Sequence, residues 1–275
     1  MEEGLVKIKI IFLSPFKFGG FGIGLFNAIC KRNTVLAFSY DSFPFDANDI
    51  IQTTDYDLIL NIIEMISPSS LKKMRNTVLW WMDDPYRWNG RFIYEKDFYT
   101  RSFHLIQSKT PIANSTFLPG GADPEIFKPL KKTIKASFIG SKNAEREELL
   151  RGTEVQTLGS GWNFTAGISE AASFYGRSRI AVNQHYNEYG TNFRCYEATM
   201  AGAMLLTDNV FGLDDLFPEG TIVKYKRGNK EDFVKKLAYY TAHPEEAEDI
   251  AEKGRKHCLQ HHTMIQRADV LLASL

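Results

Sequence analysis

The 275-residue sequence predicts an α/β protein built as two parallel sheets in series. Three observations predict it. Short apolar runs alternate with helix-compatible segments along the first part of the chain. A Pro- and Gly-rich stretch at residues 115–129 interrupts that rhythm. The alternation then restarts and continues to residue 207, and from residue 230 onward the periodicity is helical.

Taken in order, residues 7–13 (KIKIIFL) alternate and then become wholly apolar, as a buried parallel strand should. The run is too short to span a bilayer, carries Lys7 and Lys9, and lacks a small-residue cleavage signature, so it reads as a first strand. After SPFKFGGFGIG, the segment LFNAICKR reads as a helix. Further strand-like runs lie at 34–40 (TVLAFSY), 57–63 (DLILNII), 77–82 (TVLWWM) and 104–107. Residues 115–129 (STFLPGGADPEIFKP) suit neither a helix interior nor a central strand and read as an interdomain connection. Beyond it come strands at 134–139, 154–158, 179–184 and 204–207, with helices at 143–151, at 169–178 and from about Asn192. From Lys230 onward Phe233, Leu237 and Tyr240 share one helical face, and Pro244 sits at the first turn of a further helix. The expected domains are residues 1–118, residues 119–260, and a terminal helix at 261–275 that crosses back to the first.

Composition narrows the function classes. Lys plus Arg and Asp plus Glu balance at 33 each, so no global field recruits nucleic acid or an anionic membrane, although a local basic groove is compatible. Cys30, Cys195 and Cys258 are far apart with no CxxC pair, which argues against a disulfide framework or zinc knuckle and suits a reducing cytoplasm. His257, His261 and His262 cluster near a helix without a completing Cys or carboxylate and read as a solvated basic face. The pairs Asp83-Asp84 and Asp214-Asp215 are not DxD metal motifs, and Gly159-Ser160-Gly161 lacks the spacing of a nucleophile elbow. No metal site is expected.

The stretch 190–209, GTNFRCYEATMAGAMLLTDN, is the most informative. It opens with turn residues, runs through a helix pattern, pivots on Ala-Gly-Ala and ends as an apolar strand. Thr191 or Asn192 is placed to cap the helix, whose first-turn N–H groups would lie beyond the carboxyl end of a strand, where anions bind in open α/β sheets. Arg194, about one turn in, suits a forked contact with diphosphate oxygens, and Glu197, three residues on, suits two ribose hydroxyls. The competing reading is an ordinary surface pair at i, i+3, worth about 0.2–0.5 kcal/mol.

Residues 192–206 (NFRCYEATMAGAMLL) followed by Phe211-Gly212-Leu213 resemble the C-terminal signature of GT-B glycosyltransferases, specifically the group like the spore-maturation protein CgeB. WWMDDP, LPGGADPEIFKP, SFIGSKNAER and HHTMIQRADVLL resemble that group in the same order, over roughly residues 77–272. The resemblance implies a compact GT-B fold, with two Rossmann-like domains facing a cleft and helices at the C-terminus. Sugar would pass from a nucleoside diphosphate sugar, UDP-linked by preference, to an acceptor hydroxyl. No cofactor is implied beyond that donor. It further implies that Glu197 binds the donor ribose and Arg194 the diphosphate, with Gly190, Thr191 and Asn192 alongside. Ser141 and Lys142 would lie beside the phosphates, and Gly159 and Trp162 would border the nucleobase; a domain-interface role for Trp162 stands equally open. The chain departs from the broader retaining class where a second Glu is expected eight positions before Glu197: it has Tyr189, next to Glu188.

Two other stretches bear on the acceptor side. Gly19, Gly20 and Gly22 give GxG but no clean GxGxxG, so the segment reads as a glycine loop close to donor or acceptor, or as a simple turn. In WWMDDPYRW, Asp83 and Asp84 at a strand's carboxyl end, among Trp80, Trp81, Trp88 and Tyr86, suit a general base if the reaction inverts; Asp-Pro also simply begins turns, and Trp81 suits a core. The expected function is metal-independent glycosyl transfer in the cytoplasm, with Arg194 and Lys142 stabilising the departing diphosphate. The rivals are a DNA-modifying glycosyltransferase acting on a hydroxylated base, a non-catalytic nucleotide or sugar sensor of the same fold, and an NAD-dependent oxidoreductase.

Overall fold

A computed structural model of the chain describes residues 7–16, 20–39, 55–62, 68–162 and 167–273. The chain divides into two compact units: unit 1 comprises residues 1–119 and 264–275, and unit 2 residues 120–263.

In unit 1 the described strands are β1 (Lys9–Ser14), β2 (Thr34–Ser39), β3 (Leu58–Ile62), β4 (Thr77–Trp81), β5 (Arg101–His104) and β6 (Thr116–Phe117). They pair in parallel in the order β2-β1-β3-β4-β5-β6. The helices are α1 (Gly20–Cys30), α2 (Pro68–Leu71), α3 (Arg87–Glu95) and, from the far end of the chain, α10 (Met264–Leu272), which packs on α1. Strands β3 and β4 are buried at every position, which explains why they read as unbroken apolar runs. Their side chains, with Ile11, Leu13 and Phe92, form the core.

Two expectations shift here. Strand β5 begins at Arg101 rather than His104, because its opening residues are polar. Ser102 is nonetheless buried and donates to the Asn114 carbonyl at 2.8 Å. The presumed connection at 115–129 contains β6, whose Thr116 and Phe117 pair with β5.

Unit 2 holds β7 (Ile134–Ile139), β8 (Gln156–Leu158), β9 (Ser178–Asn183), β10 (Met204–Asp208) and β11 (Val223–Tyr225). All pair in parallel, in the order β11-β10-β9-β7-β8. Its helices are α4 (Ala144–Leu150), α5 (Ile168–Arg177), α6 (Phe193–Met200), α7 (Leu213–Leu216), α8 (Lys230–Ala242) and α9 (Pro244–His261). Phe138, Val182, Met204, Leu206, Tyr225 and Phe233 lead the core, each under a tenth exposed. Helix α4 is capped by Asn143, whose side chain accepts the Arg146 N–H, and α8 by Asn229 in the same manner. Helix α6 stops at Gly202, in the left-handed region at φ +72°, and the Ala203 N–H returns to the Ala198 carbonyl at 3.1 Å. That turn aims the chain straight into β10.

The histidine cluster is not a solvated face. His257 and His262 each donate from Nε2 to the Leu216 carbonyl, at 2.8 and 2.9 Å, and His262 is buried against Tyr196 and Phe217. Only His261 of the three is exposed. Burial lowers the His257 pKa, which leaves the imidazole a neutral donor. Among the described residues no group of three or more His, Cys, Asp or Glu is arranged to hold a metal ion. No described helix is long and apolar enough to cross a membrane.

Candidate functional site

Because every strand of unit 2 is parallel, all carboxyl ends share one edge of its sheet. From β7 the chain crosses to β8 on one side and then to β9 on the other. The junction of β7 and β9 is therefore the topological switch point, where diverging crossovers leave a crevice for a ligand. Helix α6 begins above it.

The first turn of α6 departs from expectation. Asn192 occupies the cap position in an extended conformation but makes no side-chain cap hydrogen bond. Its Nδ2 donates instead to Asn183 Oδ1 at 3.2 Å, and the Thr191 hydroxyl pairs with the Tyr196 hydroxyl at 2.7 Å. Both side chains are drawn to tertiary partners nearby. Gly190, at φ +76°, makes the turn into this segment, its N–H bonded to the Phe211 carbonyl at 2.9 Å.

Arg194 spans the switch point. Its Nε donates to Asn183 Oδ1, at the end of β9, at 3.0 Å; one Nη reaches the Ile139 carbonyl, at the end of β7, at 3.5 Å. Glu197 is 6% exposed, which rules out a solvated surface pair. Both charges act on the buried Tyr175 hydroxyl. Burial raises that group's pKa well above its ordinary value, Glu197 adds to the rise, and Arg194 opposes it. The two side chains thus address one neighbourhood from adjacent turns of α6.

A second guanidinium joins the first. Arg146 on α4 is 6% exposed, lies over the Phe138 ring at 5.5 Å, and donates to the Ser141 carbonyl at 2.8 Å and the Gln184 carbonyl at 3.3 Å. Burial, with Arg194 alongside, pulls its pKa down to about 10. Neither Arg146 nor Arg194 forms an ion pair with a carboxylate among the described residues; all their hydrogen bonds go to carbonyl oxygens. Two adjoining cations, one buried and one half-buried, with no carboxylate in hydrogen-bond contact among the described residues and only the longer-range pull of Asp208 and Glu145 on Arg146, favour the docking of an anion.

A second buried carboxylate is already engaged. Asp208, at the end of β10, accepts the His185 backbone N–H at 2.8 Å and its Nδ1 at 2.7 Å, and Arg227 binds the other oxygen. Cys195 Sγ lies 3.5 Å from His185 Nε2. Burial alone would push the imidazole down, but the Cys195 sulfur and the Asp208 carboxylate outweigh it and hold the His185 pKa up, at about 9. A histidine with a raised folded-state value stabilises fully below its unfolded value, near 6.5, and loses that contribution as pH climbs through about 9. Denaturant unfolding of wild type and His185→Gln should therefore differ most at about pH 6, by up to roughly 3 kcal/mol, and converge by about pH 10. A gap that widens with rising pH would refute this.

The remaining expected residues fall in two places. In unit 2, Ser141 follows β7 and its carbonyl holds Arg146; Lys142 pairs with Glu147 at 2.9 Å and lies over the Trp162 ring at 5.3 Å. Gly159 follows β8 at φ +129°, and a Cβ there would strike the Gly140 carbonyl, so the loops after β7 and β8 touch. Trp162, partly buried, packs edge-on against Phe138 at 6.3 Å at the margin of this unit's core, and its buried indole N–H has no partner among the described residues. In unit 1, Asp84 is buried and accepts the Tyr86 N–H at 2.9 Å, while Asp83 accepts the Asp84 N–H at 2.8 Å; the two shape the turn into α3. Trp80 donates from its indole Nε1 to the Leu118 carbonyl at 3.2 Å, and Trp81 to the Asp84 carbonyl at 3.4 Å. They are core residues at 0% and 1% exposure, Trp81 stacked on Phe92. Gly20 and Gly22 lie inside α1, not in a loop, and a Cβ on Gly22 would come 2.7 Å from Ser14 Oγ. Gly22 thus serves the close seating of the helix on the end of β1. Gly19 and the side chain of Trp88 lie outside the described residues.

Arg146, Asn183, His185, Asp208 and Arg227 escaped the sequence reading. The one available signal was a run of polar residues at each strand's carboxyl end, in IGSKNAER, VNQHY and LLTDN.

Residues 128–273, more than half the chain, match the model of a family described as glycosyl transferase-like. The comparison with curated proteins found no match. Among solved structures, Anabaena HepE in complex with UDP-glucose is 13% identical, with TM-score 0.71 over 98% of this chain and 100% of that one. Sucrose-phosphate synthase from Thermosynechococcus elongatus is 12% identical, with TM-score 0.68 over 97% and 98%. An alpha-glucosyltransferase in complex with UDP and a 13-mer DNA containing a HMU base is 9% identical, with TM-score 0.72 over 97% and 100%. These likenesses show the fold: two parallel-sheet α/β domains of the GT-B class.

Proposed function

Since the chain belongs to the glycosyl transferase-like family, we propose that it transfers a sugar from a UDP-linked donor to an acceptor hydroxyl, with the donor held by unit 2. The observation that carries this reading is the pair of guanidiniums, Arg146 and Arg194, at the switch point of the unit 2 sheet, neither in an ion pair with a carboxylate among the described residues. A diphosphate is the anion that satisfies two adjoining forks together. The motif resemblance to the CgeB-like group, and the UDP-glucose bound by HepE, support the choice of donor.

In this reading Arg194, Arg146 and Lys142 meet the charge that builds on the departing diphosphate, in place of a divalent cation. Fixed donors of that kind are worth about 3–4 kcal/mol each in a desolvated site. Glu197 accepts the ribose hydroxyls, Gly190 to Asn192 and Ser141 border the phosphates, and Gly159 and Trp162 border the nucleobase. Unit 1 takes the acceptor, and Asp83 or Asp84 serves as base only if the anomeric centre inverts.

Calorimetry with UDP tests the assignment. Glu197→Ala is expected to weaken UDP by roughly ten- to a hundredfold, the value of a single hydrogen bond to a charged group. Unchanged affinity removes the ribose role. A hydrolysis screen over nucleotide sugars then identifies the donor.

A further inference from the structure

Asn183 has no part in the roles above, yet it is the hub of the switch point. It is 1% exposed. Its Oδ1 takes two donors, Arg194 Nε at 3.0 Å and Asn192 Nδ2 at 3.2 Å, and its Nδ2 donates to Thr207 Oγ1 at 3.0 Å. The Tyr225 hydroxyl donates to its backbone carbonyl at 3.0 Å. One amide on β9 is therefore locked by β10 and β11 on one side and holds α6 on the other.

Resting on the donor-site reading, we propose that Asn183 is a positioning residue that fixes the Arg194 guanidinium through Nε, while the Ile139 carbonyl takes one Nη, and leaves the other Nη for a diphosphate. Two physical points carry the assignment. An arginine side chain has about 2 kcal/mol of rotamer entropy, so a fork already held in place loses less of it when the ligand arrives. A neutral amide also fixes the guanidinium without cancelling its charge, whereas a carboxylate at the same place would pair with it and oppose the anion. The residue type matches both demands: an acceptor strong enough to hold Nε, and no net charge.

The test is UDP calorimetry on wild type, Asn183→Ala, Asn183→Asp, Arg194→Ala and the two double variants. Asn183→Ala is expected to weaken UDP about tenfold and should not weaken it further in the Arg194→Ala background, because the residue acts through that side chain; the Asn183→Asp loss should shrink there to the direct repulsion between its carboxylate and the diphosphate. Asn183→Asp keeps an acceptor for Arg194, and the Thr207 hydroxyl can turn to donate to its second oxygen, so this variant carries the test if the alanine variant fails to fold. It too should bind UDP at least about tenfold more weakly. Wild-type affinity in Arg194→Ala overturns the donor site and this role together. A weakened Arg194→Ala with the Asn183 losses undiminished in its background overturns the positioning role alone, as does wild-type affinity in Asn183→Asp.

Discussion

Arg194→Ala should bind UDP about two to three orders of magnitude more weakly than wild type while folding to comparable stability. Truncating one partner of a desolvated charge pair costs about 2–5 kcal/mol, and among the described residues no carboxylate is hydrogen-bonded to the Arg194 fork to compete for it. In the unliganded protein the same truncation removes two hydrogen bonds to carbonyl oxygens but also relieves the repulsion that helps pull Arg146 down. The two effects oppose each other, so the unfolding midpoint without UDP should barely move. The midpoint rise that UDP produces in wild type should vanish in the variant at the same nucleotide concentration. A variant that still gains that rise would show that the anion docks elsewhere. Arg146→Met is the companion: Arg146 adjoins Arg194, and its truncation should also weaken UDP.

Gly254→Ala should destabilise unit 2 by roughly 2–3 kcal/mol, against the direction that helix propensity dictates. In an exposed helix interior this change stabilises by about 1 kcal/mol. Here Gly254, buried on α9, sits where a Cβ would fall on the Thr221 carbonyl oxygen and 2.9 Å from Thr199 Cγ2 on α6. The obstacle is backbone, which cannot swing aside as a flexible side chain would, and overpacking of that kind costs about 1–3 kcal/mol. Because α6 carries Arg194 and Glu197, UDP affinity should fall together with the unfolding midpoint. Thermal unfolding with and without UDP reads both, and an unchanged or raised midpoint refutes the packing argument.

Much of the fold was legible in the sequence because its signals are local. A parallel strand buried on both faces is an apolar run whatever it packs against, so β4, β7 and β10 read nearly to the residue. Pro244 and Asn143 marked helix starts by their own backbone chemistry. The failures were equally local in cause. Strand β5 opens on Arg101 and Ser102, whose polarity hid a buried position. The glycines at 20 and 22 advertised a loop because a helix that needs a glycine for close packing looks, in sequence, like a segment that cannot form one. The histidines 257 and 262 looked solvated because nothing nearby in the chain announces the Leu216 carbonyl that receives them.

By itself, the sequence determined that the chain forms α/β units, that a helix starts just after Asn192, and that this helix carries Arg194 and Glu197 on neighbouring turns. Those are consequences of periodicity and turn chemistry over a few residues. Only the tertiary structure decided what surrounds them: Arg146 beside Arg194, Asn183 holding its Nε, and Asp208 occupied by His185 and Arg227. The physical reason is the crossover. Parallel strands bring their carboxyl ends to one edge however far apart they lie in the chain, and the order of strands across the sheet, which no local pattern encodes, decides which of those ends become neighbours.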